Sequence, residues 1–189
     1  MSESDVANIV RLSRVKDLEP IDCQILASTT ELIVASELSS SLDLDGLCLI
    51  PTNTVRSFDR DFDRVHFYNA AVGDLPLAAE TVRLRELLSS DLFGDLGVIA
   101  GLRLPIAVHL EFDDPEVCYV GTIEDLAGDG FRLRQVSSWG DVLDEPMSVA
   151  FSKVTKIEIF TRYLAAIARA LTLIGRNSTG ACTGAVVKS

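Results

Sequence analysis

The sequence lacks the features that would place it in a membrane or in an oxidising compartment. No apolar run approaches the roughly 20 residues that a helix needs to cross a bilayer. The opening MSESDVANIV carries acids where a signal peptide has a basic stretch followed by an apolar one. The four cysteines have no CxxC spacing, and three lie in apolar strand-like runs, where a reduced thiol acts as a small hydrophobic group. We therefore expect a reduced cytoplasmic protein with no membrane association.

Positive charge is also scarce. The chain has 17 Lys and Arg against 28 Asp and Glu, a formal net charge of −11. Residues 1–95 carry 8 basic and 17 acidic side chains, a net −9, whereas residues 96–189 carry 9 and 11, a net −2. The first half would repel the phosphate backbone of a nucleic acid, and the second half, with almost no net charge, would neither attract nor repel it strongly. Binding driven by phosphate contacts is therefore disfavoured.

Side chains in catalytic or metal-binding patterns are missing too. His66 and His109 are the only histidines, and neither has a nucleophile or an acid at a spacing that identifies a catalytic pair. The alternating acids of residues 59–63 lack the glycine and the later glutamate of a calcium loop. The loop acids of 43–45 and 141–145 have no nucleophile or positive clamp beside them. The sequence predicts no catalytic residue, cofactor or metal site, and hence a protein that is not an enzyme.

The sequence does contain a succession of short strand patterns interrupted by helices. Apolar and polar residues alternate from residue 21 to 27, which is the pattern of a half-buried strand. Residues 1–19 fit either a leading helix or an edge strand. Further strands are predicted at 31–38, 47–50, 54–58, 104–112, 117–126, 131–136, 147–151 and 154–159. Apolar residues at helical spacing predict helices at 59–72, 80–92 and 161–174, the last ended by Gly175.

The two halves of the chain match each other without gaps at an offset of 99 residues. Val34 then falls on Leu133, and Phe58 falls on Ile157. The order of predicted strands, turns and helix is the same in both copies. Small units of five bent strands usually close into barrels, because closure removes exposed edges. The prediction is a first unit with its trailing helix at 1–78, a helical linker at 79–99, a second unit with a helix at 100–175, and a mobile tail at 176–189.

The second unit carries a recognisable motif. It has a glycine after an aromatic-led strand, an aspartate-bearing turn, a Gly-containing loop, and a strand with threonine that leads into Arg-Tyr. The residues in these places are Tyr119, Gly121, Asp129, Trp139, Gly140, Val154, Thr155, Ile157, Arg162 and Tyr163. In this motif the chain resembles uncharacterised bacterial proteins with two tandem Sm-like barrels; the first unit resembles the companion barrel through Asp45, Gly46, Val55 and Phe58. The resemblance implies a mostly β chain with helices, in which a helix joins two tandem Sm-like, SH3-like barrels, and it carries no established activity.

Two functions are compatible with these features. The first is a non-enzymatic protein-interaction or scaffold module, with self-association into a homodimer through open strand edges as one form of it. The alternative is RNA binding by descent from Sm-like rings. The sequence has no Arg-Gly closing the second Sm motif and no Lys-His pair to contact a base. The candidate interaction surface is Trp139, Arg132 and Arg134. Trp139 can equally fold back over its own barrel end, and the two arginines can simply form the solvent side of a strand.

Overall fold

Ten strands form one antiparallel sheet in the computed structural model, which describes residues 9–15, 18–72, 79–88, 91–137 and 140–180, with the backbone alone for 79–81, 85 and 173–180. The strands are β1 (Ile9–Arg14), β2 (Ile21–Ser28), β3 (Leu32–Leu38), β4 (Leu44–Pro51), β5 (Val55–Asp59), β6 (Pro105–His109), β7 (Cys118–Ala127), β8 (Gly130–Gln135), β9 (Met147–Ala150) and β10 (Lys156–Ile159). The helices are α1 (Val65–Val72), α2 (Ala79–Leu87), α3 (Leu92–Gly101) and α4 (Arg162–Gly180). No helix among the described residues is both long and apolar enough to span a bilayer.

The order of strands in the sheet is β5-β1-β2-β3-β4-β10-β6-β7-β8-β9. In each half, the fifth strand therefore pairs with the first strand and forms one edge, and the fourth strand forms the opposite edge. The halves meet where β4 pairs with β10. The prediction of a mostly β chain with helices is confirmed. Among the described strands no pair joins β5 to β9, so the sheet is open, and the two tandem barrels stay a prediction.

The repeat seen in the sequence recurs in the elements. Short 3-10 turns at Thr52–Thr54 and Phe151–Lys153 lie 99 residues apart, each between the fourth and fifth strands of its half. A helix follows each fifth strand: α1 packs on Ile9 of the first half, and α4 packs on Ala107 and Val120 of the second. The same succession of elements thus supports both halves.

Several predicted boundaries differ from the structure. Residues 9–14, left open between helix and strand, form β1. The helix predicted from residue 59 begins at Val65, because residues 55–59 pair with β1. The helix predicted at 80–92 ends at Leu87, and a further helix that was not predicted begins at Leu92, where the carboxylate of Asp91 accepts a hydrogen bond from the Gly94 amide at 2.8 Å and caps it. The last helix continues past Gly175 to residue 180, so the prediction that this glycine ends it was wrong.

The central strands β3 and β4 are buried on both faces, which explains their nearly continuous apolar sequence. Ile33, Ala35, Cys48 and Ile50 face a core formed with β1 and β2. The alternate residues face a second core that includes the strands of the second half and helices α2 and α3. They are Leu32, Val34, Leu47 and Leu49.

Gly46 allows the two halves to approach at the start of β4. Its φ of +64° lies in the left-handed region, and a Cβ there would lie 2.4 Å from the carbonyl oxygen of Ile159 and 2.7 Å from the amide nitrogen of Thr161. Only a residue without a side chain fits both the conformation and the contact.

We expect Gly46→Ala to lower the free energy of unfolding by about 2–4 kcal/mol, since it adds left-handed strain to a clash between backbones. Urea unfolding followed by circular dichroism measures the change. Gly128→Ala is the matched control, because nothing lies within 4 Å of a Cβ at that turn. Equal stability of the two variants would contradict the proposed role of Gly46.

Candidate functional site

A cluster of charged side chains lies where the two halves meet. Lys156 and Glu158 of β10 point to the same face, because side chains alternate along a strand. The ammonium of Lys156 lies 2.9 Å from a carboxylate oxygen of Glu37 on β3 and 2.8 Å from one of Glu158. His109 Nε2 of β6 lies 2.9 Å from the same Glu158 oxygen. The cluster connects three strands drawn from both halves.

Burial and the neighbouring charges shift the pKa values of Lys156 and Glu158 in opposite directions. Burial alone would lower the pKa of Lys156, but the carboxylates of Glu37 and Glu158 raise it above its usual value. Burial opposes ionisation of Glu158, yet the contacts with His109 and Lys156 lower its pKa to about 2. Lys156 and Glu158 are therefore both charged at neutral pH. A cavity of about 260 Å³ lies beside them, lined in part by Glu37, Glu158 and Cys48.

A second buried ion pair connects the halves at the other end of the junction. The guanidinium of Arg14 on β1, with 1% of its side chain exposed, donates to both oxygens of Glu111 at 2.9 and 2.5 Å and to the carbonyl oxygen of Thr155 at 3.1 Å. Burial opposes ionisation of Glu111, but hydrogen bonds from Arg14 and Thr155 lower its pKa. Glu111 follows the end of β6 by two residues, and strands β1 and β6 are five positions apart in the sheet, about 24 Å if it were flat. The ion pair between Arg14 and Glu111 therefore requires a strongly curled sheet.

The acids of the 43–45 loop, predicted to be solvated, also reach the second half. Asp45 accepts a hydrogen bond from the backbone amide of Arg162 at 2.9 Å, at the start of α4. Asp43 forms an ion pair with the guanidinium of Arg162. A carboxylate at a helix N-terminus stabilises the free amides of the first turn. These contacts therefore position α4 on the sheet.

The pKa values of the three described thiols, those of Cys23, Cys48 and Cys118, are all raised. Burial raises the pKa of Cys23 to about 12 and raises that of Cys48 further above its usual value. Cys118 is exposed and lies opposite His109 in the ladder between β6 and β7, and its pKa is raised by partial burial and by the Glu158 charge. Within the described ranges, no three His, Cys, Asp or Glu side chains are grouped so that they could hold a metal ion.

The predicted interaction residues lie on two parts of the chain. Arg132 and Arg134 share one face of β8. Arg134 donates to Glu124 at 2.6 Å, to the carbonyl oxygen of Leu143 at 3.1 Å and to that of Asp144. It therefore holds the following loop against the sheet. Arg132 is exposed opposite Ser148 of β9. Trp139 lies outside the described residues.

The outer edge at β5 was not among the predicted sites. Four of its five residues are exposed, including Phe58 with 50% of its surface accessible. Ile157, at the equivalent position of the second half, is completely buried between β4 and β6. A groove of about 590 Å³ runs beside β5, lined by Ile9, Val10, Ile25, Phe58, Arg60 and Asn69. The sequence showed that Phe58 corresponds to Ile157. It did not show which of the two fifth strands would lack a neighbouring strand.

The opposite edge, at β9, has different chemistry. It is four residues long and follows Pro146, which cannot donate a backbone hydrogen bond. At the offset of 99 residues, Leu47 and Leu49 of β4 correspond to Pro146 and Ser148. This edge is short, its one exposed side chain is that of Ser148, and it resembles edges that natural sheets protect against pairing.

We expect acid to weaken the junction through Glu158. Its pKa is about 2 in the folded chain against an ordinary 4.5, so its stabilising contribution is complete above pH 4.5 and is lost as the pH falls towards 2. After allowance for partial exposure, the loss is about 2 kcal/mol. Urea unfolding between pH 6 and pH 2.5 should therefore show a steeper decline for the wild type than for Glu158→Gln. The exposed Glu116→Gln control should decline like the wild type, and parallel curves for all three proteins would contradict the assignment.

We expect Lys156→Met to destabilise the chain by about 3 kcal/mol, because it leaves two partly buried carboxylates without a cation. Addition of Glu37→Gln and Glu158→Gln should restore most of the loss, because no unpaired charge then remains. Urea unfolding at neutral pH measures both variants. A triple variant no more stable than the single one would show that the charges do not act as a unit.

No family model, curated protein or solved structure matches this chain. The similarity to tandem Sm-like proteins therefore stays an expectation from the motif. Function has to be inferred from the contacts of the chain itself.

Proposed function

We propose that this chain is a non-enzymatic protein-interaction module built from two tandem Sm-like units. Three observations support the two-unit interpretation. Both halves have the same strand order, both place a 3-10 turn between the fourth and fifth strands, and both add a helix after the fifth. The curl of the sheet, which brings Arg14 of β1 to Glu111 past the four strands that separate β1 from β6, fits barrel-like units joined edge to edge.

The observation that carries the proposal is the outer side of β5, with which no other strand of the described residues pairs. Phe58 is half exposed, whereas its counterpart Ile157 is buried because β4 covers it. An exposed strand with free amides and carbonyls can accept an extended segment of another protein as a further strand. The adjacent groove offers room for side chains of such a segment.

The positions of the cations favour protein over RNA as the partner. Lys156 is largely buried between Glu37 and Glu158, and Arg134 is bonded to Glu124 and two carbonyl groups. RNA binding needs cations that can neutralise phosphates, and the net charge of −11 opposes it further. The contacts of Lys156 and Arg134 therefore leave neither of them free to neutralise a phosphate.

The proposal predicts that peptides selected from a random display library on the purified protein will bind at β5. Phe58→Lys should weaken their binding by about tenfold or more, because it removes an apolar anchor and places a charge on the edge. Phe67→Lys is the matched control, since Phe67 is similarly exposed but lies on α1. Fluorescence anisotropy of the labelled peptides measures the affinities.

Selected peptides that bind both variants equally would contradict the role of β5. Saturable, salt-sensitive binding of a U-rich RNA at low salt, with no peptide selected, would instead favour the RNA-binding alternative.

A further inference from the structure

The ladder between β4 and β10 shows how a strand pairs with the outer side of a fifth strand. The same register predicts which residues a strand paired with β5 would meet. In that ladder β4 runs antiparallel to β10, with Leu49 opposite Ile157 and Leu47 opposite Ile159. Cys48, on the other face, lies opposite Glu158. At the offset of 99 residues, the positions of Ile157, Glu158 and Ile159 are held by Phe58, Asp59 and Arg60. Phe58 and Asp59 belong to β5, and Arg60 lies in a bend directly after it. A strand added to β5 in the same way, and extended by one residue past the end of β5, therefore meets an apolar, an acidic and a basic side chain.

Phe58 and Arg60 also share the same groove, whose other walls include Ile9, Val10 and Ile25. Side chains two apart on a strand point to the same face, so one incoming strand can place alternate residues against both. Asp59 lies between them and points to the opposite face. The edge thus offers an apolar and a positive contact on one face and a negative contact on the other.

We infer that β5 binds an extended segment of another protein that carries, in order, an acidic, a basic and an apolar residue. This inference rests on the proposed function of β5 as an interaction edge. The segment runs antiparallel to β5, as every paired strand of the sheet runs to its neighbour. Its apolar residue lies opposite Phe58, its basic residue opposite Asp59 and its acidic residue opposite Arg60. Cross-strand pairs of opposite charge and of apolar side chains are the contacts that stabilise antiparallel strands.

A second copy of this chain does not supply such a segment at its own open edge. In the same register, β9 of another copy would place Ser148 opposite Phe58 and Pro146 opposite Arg60, and a proline removes a backbone donor. Pairing of β5 with β5 of another copy, centred on Phe58, would place Arg56 opposite Arg60, which repels. The chemistry of both arrangements therefore favours a different protein as the occupant.

Three blocked synthetic peptides with the same threonine-rich flanks test the inference by fluorescence anisotropy at low ionic strength. One has the core Glu-Lys-Leu, the second has the reversed charges Lys-Glu-Leu, and the third has Glu-Lys-Ser. We expect saturable binding of the first, and binding of the other two that is weaker by about fivefold or more. Arg60→Glu should abolish the preference between the first two peptides. Arg169→Glu, the same charge change on exposed α4, should retain it.

Equal binding of Glu-Lys-Leu and Lys-Glu-Leu, or a preference that survives Arg60→Glu, would overturn the inference. If library-selected peptides depend on Phe58 but lack the acidic-basic-apolar order, the inference is wrong while the interaction function stands. If no peptide binding of either kind depends on Phe58, both are wrong.

Discussion

The pairing of β4 with β10 is the interaction on which the rest of the structure depends. Each half ends in two unpaired edges, its fourth and its fifth strand, and this ladder joins one edge from each half. It makes β3 and β4 central strands with apolar side chains on both faces. One face belongs to the first core, which is built from first-half residues alone, and the other belongs to the second core, to which both halves contribute. The second core is therefore completed only when the halves have met, and we expect their folding to be coupled for this reason.

The buried ion pairs contribute mainly to the register of that ladder. Removing Lys156 from water costs several kcal/mol, and its carboxylate partners more than offset that cost, because the pKa of Lys156 is raised. The effect of the cluster on specificity is larger. A slip of one residue along β4 would turn Lys156 and Glu158 towards the apolar face now occupied by Ile157 and Ile159. Arg14 with Glu111, and Asp45 with the amide of Arg162, add two further contacts that only one register satisfies.

The sequence predicted what depends on local pattern. Alternating apolar residues placed nearly every strand, and the offset of 99 residues placed the repeat. What it could not predict depends on contacts between distant residues. Cys48 and Glu158 are neighbours only because two edges meet, so the continuous sheet and the charged cluster beside it had no signal in either segment alone. Arg134 was expected to form a positive surface, but Glu124 and the loop carbonyls occupy it. The exposure of Phe58 likewise depends on the absence of a neighbouring strand.

The two outer edges of the sheet are built differently, and this difference bears on function more than any single residue does. The edge at β9 is short and preceded by Pro146, and both features hinder the pairing of a further strand. The edge at β5 lacks a proline and exposes an aromatic ring, which in isolation is an aggregation hazard. Charges of both signs lie at its end, where Asp59, Asp61 and Asp63 alternate with Arg60 and Arg64, and flanking charges are the usual protection for an apolar strand that cannot be removed. The whole chain carries −11, so two copies repel each other, whereas a short segment with one acidic and one basic residue is not repelled by net charge. An edge that is apolar at its centre and charged at its margin is therefore protected against a second copy while remaining open to a partner of complementary charge.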